Sequence, residues 1–221
     1  MRESSTSAHG GARPGAGRPK SGKKVGSPHR TRPGLFFKHP VHVSLRTLQS
    51  VPRLRQRRVY DAVRRTLIRY VEAAGFRVVH LSIQHNHLHF LCEAANSRAL
   101  STGMQSLAIN LARGINAACR RTGKVFAFRY HSTQIKTDRY ARNVIAYVLN
   151  NWRRHREDKR TTNAALDPYS SALSFAGWTR AFAKPKAYDP LPVSAPRTGL
   201  LRDGWTVYGK LVPTECPGPI A

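Results

Sequence analysis

With 38 Lys and Arg against 11 Asp and Glu in 221 residues, the chain carries a formal net charge of +27. Self-repulsion on that scale opposes a compact state unless a polyanion is the usual partner, which makes nucleic acid the first candidate. No stretch approaches the ~20 apolar residues of a membrane span, so no membrane partner is expected, and carboxylates are too scarce for a cluster of three or four acids holding two metals.

Residues 1–34 are Gly, Ser, Pro and base, without the apolar centre of a secretory leader. They read as a disordered basic arm, with too few apolar groups to offset the entropy of ordering. Within it, Ala16-Gly17-Arg18-Pro19-Lys20 is similar to the Gly-Arg-Pro core of minor-groove hooks, so Arg18 is a candidate for insertion into a narrow groove. The plainer reading is a solvated arm that adds affinity by counterion release. Cys92, Cys119 and Cys216 are widely spaced and odd in number, which gives neither zinc-ligand pairs nor a disulfide framework and suits a reducing cytosol.

The folded part is expected from Leu35. His42-Val43-Ser44-Leu45-Arg46 alternates and predicts a strand over about 40–47. Val59, Ala62, Val63, Leu67, Tyr70 and Val71 recur at helical spacing over 55–74, with Arg57, Arg58, Arg64, Arg65 and Arg69 between them and Gly75 as the stop. Strands over 76–83 and 87–93 follow, joined by the short polar turn Gln84-His85-Asn86. A helix over 98–122 begins at the candidate caps Ser97 and Ser101 and stops at Gly123; residues 125–136 predict a fourth strand, and Asp138 caps a third helix running to about Glu157. From 160 onward frequent prolines break any long element, while Trp178, Phe182, Leu200, Leu201, Trp205 and Tyr208 suggest a segment that packs onto the domain.

The order β-α-β-β-α-β is the α+β, ferredoxin-like pattern of an antiparallel sheet with helices on one face, here with an added C-terminal helix. In its usual strand order the first strand and the one that begins at His87 are central neighbours. The division expected is an arm at 1–34, a domain at 35–159 and a Pro-rich, partly ordered extension at 160–221.

The chemistry concentrates in that central strand. His87 and His89 lie two apart and therefore face the same way, while Leu88 and Phe90 face the core. Two imidazoles side by side suit a divalent metal, although in a chain with ten His a His-x-His can also be two solvated rings. His85 shares the parity and is either a third ligand or a turn residue; Glu93 is in phase and reads as a strand-end charge. On the third helix Ala141, Val144, Ile145, Val148, Leu149 and Trp152 form the core stripe, and Tyr147 and Asn151 stand one turn apart on its flank.

These motifs resemble the single-tyrosine HUH transposases, in particular their REP-associated tyrosine transposase branch. His87-Leu88-His89 after Asn86 is similar to the family's His-hydrophobic-His motif. Phe126-Ala127-Phe128-Arg129-Tyr130-His131 resembles its aromatic, basic segment before the last helix, and Tyr147 to Asn151 its tyrosine followed four residues later by an amide. The likeness covers about residues 38–156, with Trp152 where many relatives carry Pro. It implies Tyr147 as nucleophile on single-stranded, hairpin or palindromic DNA, and Mg²⁺ or Mn²⁺ held by His87, His89 and Asn151. The product would be a 5′-phosphotyrosine and a free 3′-OH, made by a cytoplasmic, nucleoid-associated bacterial protein acting as monomer or homodimer. Tyr140 is the rival nucleophile, but Val144 stands where an amide would be needed. Arg57, Arg58, Arg64, Arg65, Arg129, Arg153 and Arg154, with Arg18, are the candidate phosphate contacts. Two other readings stay open: a non-catalytic nucleic-acid-binding sheet that stacks bases on exposed aromatics, and a replication initiator or relaxase with the same chemistry.

Overall fold

The computed structural model describes residues 34–71, 75–160, 164–185 and 189–217. The expectation for the arm, including Arg18, lies outside them. Four strands, β1 (Val41–Arg46), β2 (Phe76–Ile83), β3 (His87–Ala94) and β4 (His131–Gln134), form one antiparallel sheet in the order β2-β3-β1-β4. The helices are α1 (Arg57–Ile68), α2 (Ser97–Ala118) and α3 (Asp138–Arg154). This is the α+β arrangement with β1 and β3 at the centre.

Strand parity divides the molecule into two cores. Val41, Val43 and Leu45 of β1 and Leu88, Phe90 and Cys92 of β3 face α1 and α2, where Val59, Val63, Leu67, Met104, Leu107, Leu111 and Ile115 complete one buried cluster. On the other face Val79 and Leu91 meet α3 through Ala141, Val144, Ile145, Val148 and Leu149. Each such side chain contributes roughly 1.5–3 kcal/mol on full burial, so α3 is held as firmly as the helices opposite. Leu166, Trp178, Leu201, Trp205 and Leu211 join this second cluster, with Phe182 and Leu200 partly buried against it, whereas Tyr208 is exposed.

Several boundaries differ from expectation. The fourth strand begins at His131 rather than Val125. Two residues lie between Ser44 and Thr47 but four between their partners Phe126 and His131, so two residues are in excess and bulge out of the ladder. Phe128, 47% exposed, sits on that bulge. The cap of α2 is Asn96, whose side chain accepts from Ala99 N at 2.8 Å, and the cap of α3 is Thr137, accepting from Tyr140 N at 3.2 Å. Asp138 instead lies in the first turn of α3, next to the positive end of the helix. α1 stops at Ile68 and α2 at Ala118, before their glycines, while Gly75 and Gly123 hold the positive φ expected of a chain reversal. Trp152, fully buried, is accommodated within α3, which continues to Arg154.

Residues 167–171 cover the outer edge of β2. Ile83 N donates to Tyr169 O at 2.8 Å, Ser82 bridges Ser170, and Leu81 N donates to Ser171 Oγ at 3.1 Å. His80 lies buried under this strap, its Nδ1 3.3 Å from Ser171 Oγ and its ring edge-on to Phe175. Burial lowers its pKa to about 4, whereas an unfolded His titrates near ~6.5. Between those values the unfolded state binds the extra proton, so stability falls as pH falls through the window, by about 3 kcal/mol at most for this group. Urea midpoints taken from pH 7 to 4.5 should therefore drop more steeply in wild type than in His80→Asn, and equal slopes would contradict the assignment.

Candidate active site

The face of β3 that meets α3 carries His87 and His89, and pairing sets their neighbours. Ser44 lies opposite His89 and Arg46 opposite His87 on β1; Ser82 of β2 lies on the other side of His89. His42, two residues before Ser44, is diagonal to His89. Its Nε2 is 3.0 Å from His89 Nδ1, and the two rings stack with centroids 5.1 Å apart. The His87 and His89 rings stand edge to face at 4.7 Å.

Helix α3 lays three polar residues along this face at four-residue spacing. The Tyr147 ring meets His89 at 5.3 Å and His42 at 5.7 Å, edge-on in both cases. At the C-cap, the His155 ring is 5.1 Å from that of His87. Asn151 lies midway between Tyr147 and His155 and is fully buried. The sheet pair and the phenol, far apart in the sequence, thus meet, with Asn151 one turn from Tyr147 on the same helix.

The polar accounting of the site is incomplete. His89 Nε2, both side-chain atoms of Asn151, Ser82 Oγ and both side-chain atoms of Gln84 are buried without a hydrogen-bond partner. Leaving such groups unsatisfied costs on the order of 1–3 kcal/mol each, a cost that a bound cation or phosphate oxygen would offset. His87 Nδ1 is 2.9 Å from Asn86 Oδ1, an atom that only accepts, so the lone pair of His87 is on Nε2. Two imidazole nitrogens and an amide oxygen are donors that fit a divalent ion completed by water or phosphate oxygens. Among the described residues no three His, Cys, Asp or Glu form a metal cage, and any ion here rests on the amide as well as the imidazoles.

Electrostatics keep these rings neutral at pH 7. Burial lowers His42 to about 4, aided by nearby His131. Burial and then His155, Arg46, His42 and His85 lower His87 to about 4. Burial followed by His42, His87 and His155 holds His89 well below the usual range. A neutral imidazole is the form that donates a lone pair.

The model of the family described as "Transposase IS200 like" matches residues 36–151, more than half of the 221 residues. The chain belongs to the IS200-like transposase family. It is a DNA-processing protein of the transposase class. A solved REP-associated tyrosine transposase bound to a REP hairpin aligns with a TM-score of 0.51 at 12% identity, over 74% of this chain and 97% of that one, a likeness of fold. Comparison with curated proteins finds no match.

Other candidates of this transposase fall in different places. Tyr140, two turns earlier on α3, has a buried hydroxyl without a partner, and burial raises its pKa. His85 is an exposed turn residue whose Nδ1 is 4.0 Å from Glu157. Glu93 is no surface charge: it is buried, accepts from Arg197 N, Thr198 N and Thr198 Oγ1, and so clamps the C-terminal segment. A cleft of about 1000 Å³ lies beside it, lined by Arg77, Lys136 and Arg197 at the far end of β3 from His87.

The candidate phosphate contacts divide. Arg57, Arg58, Arg64 and Arg65 sit on α1, which packs on the opposite face of the sheet from the His pair. Arg57 is paired with Asp61, and Arg64 bonds to Pro190 O. Arg153 is committed to Pro213 O, Ala165 O and Asp158. Arg129 and Arg154 are exposed. Three residues at the site escaped sequence reasoning: His42, His155 and Arg46, the last exposed beside His87. The alternation His42-Val43-Ser44 signalled a strand face, but only the β1–β3 register shows that this face is the one shared with His89.

Among the described residues no helix is long and apolar enough to cross a membrane.

Proposed function

We propose that this transposase nicks single-stranded DNA and transfers the strand through a covalent bond to Tyr147. The observation that carries the reading is the Tyr147 ring packed against His89 and His42, one turn from an Asn151 amide that is buried and unpartnered. In the reaction Tyr147 Oη attacks the scissile phosphorus in line, its proton passing to solvent. The bond from phosphorus to the 3′ oxygen breaks, and that oxygen takes up a proton to leave as a 3′-OH, while the 5′ side stays on Tyr147 as a phosphotyrosine. A second 3′-OH reverses the same step and rejoins DNA without ATP, since the phosphodiester energy is kept in the new bond.

His87 Nε2, His89 Nε2 and Asn151 Oδ1 would hold Mg²⁺ or Mn²⁺, which when bound supplies a Lewis acid for the phosphate and the leaving oxygen. The chain's own groups do the rest. His42 and His89 wall in the phenol ring and restrict its orientation. Arg46 and Arg154, exposed around the His pair, bind flanking phosphates, with Arg129 on the bulge before β4 and Arg18 in the arm as further contacts. The solved protein of like fold is bound to a REP hairpin, which supports hairpin or palindromic DNA as substrate. We assign the chemistry to residues 35–159, with 1–34 as a basic DNA-binding arm and 160–221 as a structural extension. The protein acts as monomer or homodimer in the nucleoid.

The test is to incubate full-length protein with 5′- and 3′-labelled single-stranded hairpin DNA and Mn²⁺, resolve the products on a denaturing gel and map the modified peptide by mass spectrometry. An adduct on Tyr147 that retains only the label 3′ of the break is expected. DNA binding with no adduct on any hairpin would leave a binding module instead of an enzyme.

A further inference from the structure

His42 serves no role in the chemistry described so far beyond walling in a ring, yet its geometry is specific. His42 Nε2 and His89 Nδ1 are 3.0 Å apart, and with both rings neutral a single hydrogen lies between them. If His42 donates it, His89 must carry its own proton on Nε2. That atom is buried and has no acceptor, so a buried N–H would be wasted and the lone pair would be lost to any ligand. If His89 donates, Nε2 keeps its lone pair, free for a ligand on an atom that has no other partner. The neighbouring ring already follows the second pattern, because Asn86 Oδ1 accepts from His87 Nδ1.

We propose that His42 is the positioning residue that accepts the Nδ1 proton of His89, fixing the tautomer and ring plane that make His89 Nε2 a metal donor. Asn86 plays this part for His87, so each ring has its own acceptor, one an amide oxygen and the other an imidazole. Metal-binding imidazoles commonly have their second nitrogen held in this way, and losing the partner typically weakens metal affinity by 10–100-fold. His42 also stacks against His89 and meets the Tyr147 ring edge-on, so it borders both the His pair and the phenol. The inference rests on reading His87, His89 and Asn151 as ligands.

Two measurements on the full-length protein decide it. In the metal-free wild type, long-range ¹H–¹⁵N correlation spectra should show His89 protonated on Nδ1; protonation on Nε2 overturns the proposal without any variant being made. Mn²⁺ titration by calorimetry should then give wild-type affinity within about threefold for His42→Gln, whose side-chain oxygen reaches the acceptor position, and a 10–100-fold loss for His42→Leu. Equal affinity in wild type and His42→Leu overturns the proposal, and so does an equal loss in both variants, which would make the role one of packing. A wild type that binds no Mn²⁺ while His89 is protonated on Nδ1 overturns the ligand assignment and leaves the tautomer assignment standing, so the two failures are distinct.

Discussion

Tyr147→Phe is expected to abolish the covalent DNA adduct, with strand cleavage down by at least about 10⁴-fold, on the order of 5 kcal/mol in the barrier. The substitution removes one oxygen and nothing else. The ring keeps its edge contacts with His42 and His89 and its place against the apolar cluster under α3, so thermal unfolding and Mn²⁺ affinity should match wild type. Residual catalysis by the remaining groups cannot form a covalent bond, because no phenol stands in that place. An adduct that persists in Tyr147→Phe would assign the nucleophile to another residue. Tyr140 is a poor substitute, since its hydroxyl is buried without a partner and burial disfavours its ionised form.

Asp167→Ala is expected to cost about 3–5 kcal/mol of stability, the usual penalty for removing one partner of a buried ion pair. Arg55 and Asp167 meet in a bidentate pair at 3.0 and 2.8 Å, with side chains 2% and 0% exposed. Burial pushes the Asp167 carboxyl up while Arg55 opposes that shift, so the pair is held by geometry rather than by cheap solvation. The same guanidinium donates to Ile83 O and stacks 4.6 Å from the Tyr169 ring centroid. Without the carboxylate it stays buried, and among the described residues its nearest remaining anionic partner is Glu157 at 3.8 Å. The strap over the edge of β2 loses its anchor, and Ser170 and Ser171 are freed with it. Urea unfolding monitored by tryptophan fluorescence measures the effect; a loss below about 1 kcal/mol would show that the strap is held by its backbone bonds alone.

Arg55 and Asp167 also show why the extension could not be read in advance. Their partnership spans 112 positions, and neither residue belongs to a repeat or a motif. The same holds for Glu93, which in the sequence is a charge at a strand end and in the structure accepts from three donors, Arg197 N, Thr198 N and Thr198 Oγ1. The boundaries that differed are of another kind. The stretch between Phe126 and His131 has strand composition, but a two-residue excess against β1 makes it bulge from the ladder, and no local propensity records an excess measured against a partner.

What the sequence by itself determined were the quantities that depend on spacing along one element. Parity put His87 and His89 on one face and Leu88 and Phe90 on the other, helical period put Tyr147 and Asn151 in line, and the order of elements implied that β1 and β3 are central neighbours. Only the tertiary structure decided what faces that line. His42 reaches His89 because the β1–β3 register sets Ser44 opposite His89, and His155 reaches His87 because packing of α3 on the sheet brings its C-cap beside the start of β3. Register and crossing direction are set by the fit of whole apolar surfaces against one another, an energy summed over many residues from distant segments, and for that reason no single stretch of this chain contains them.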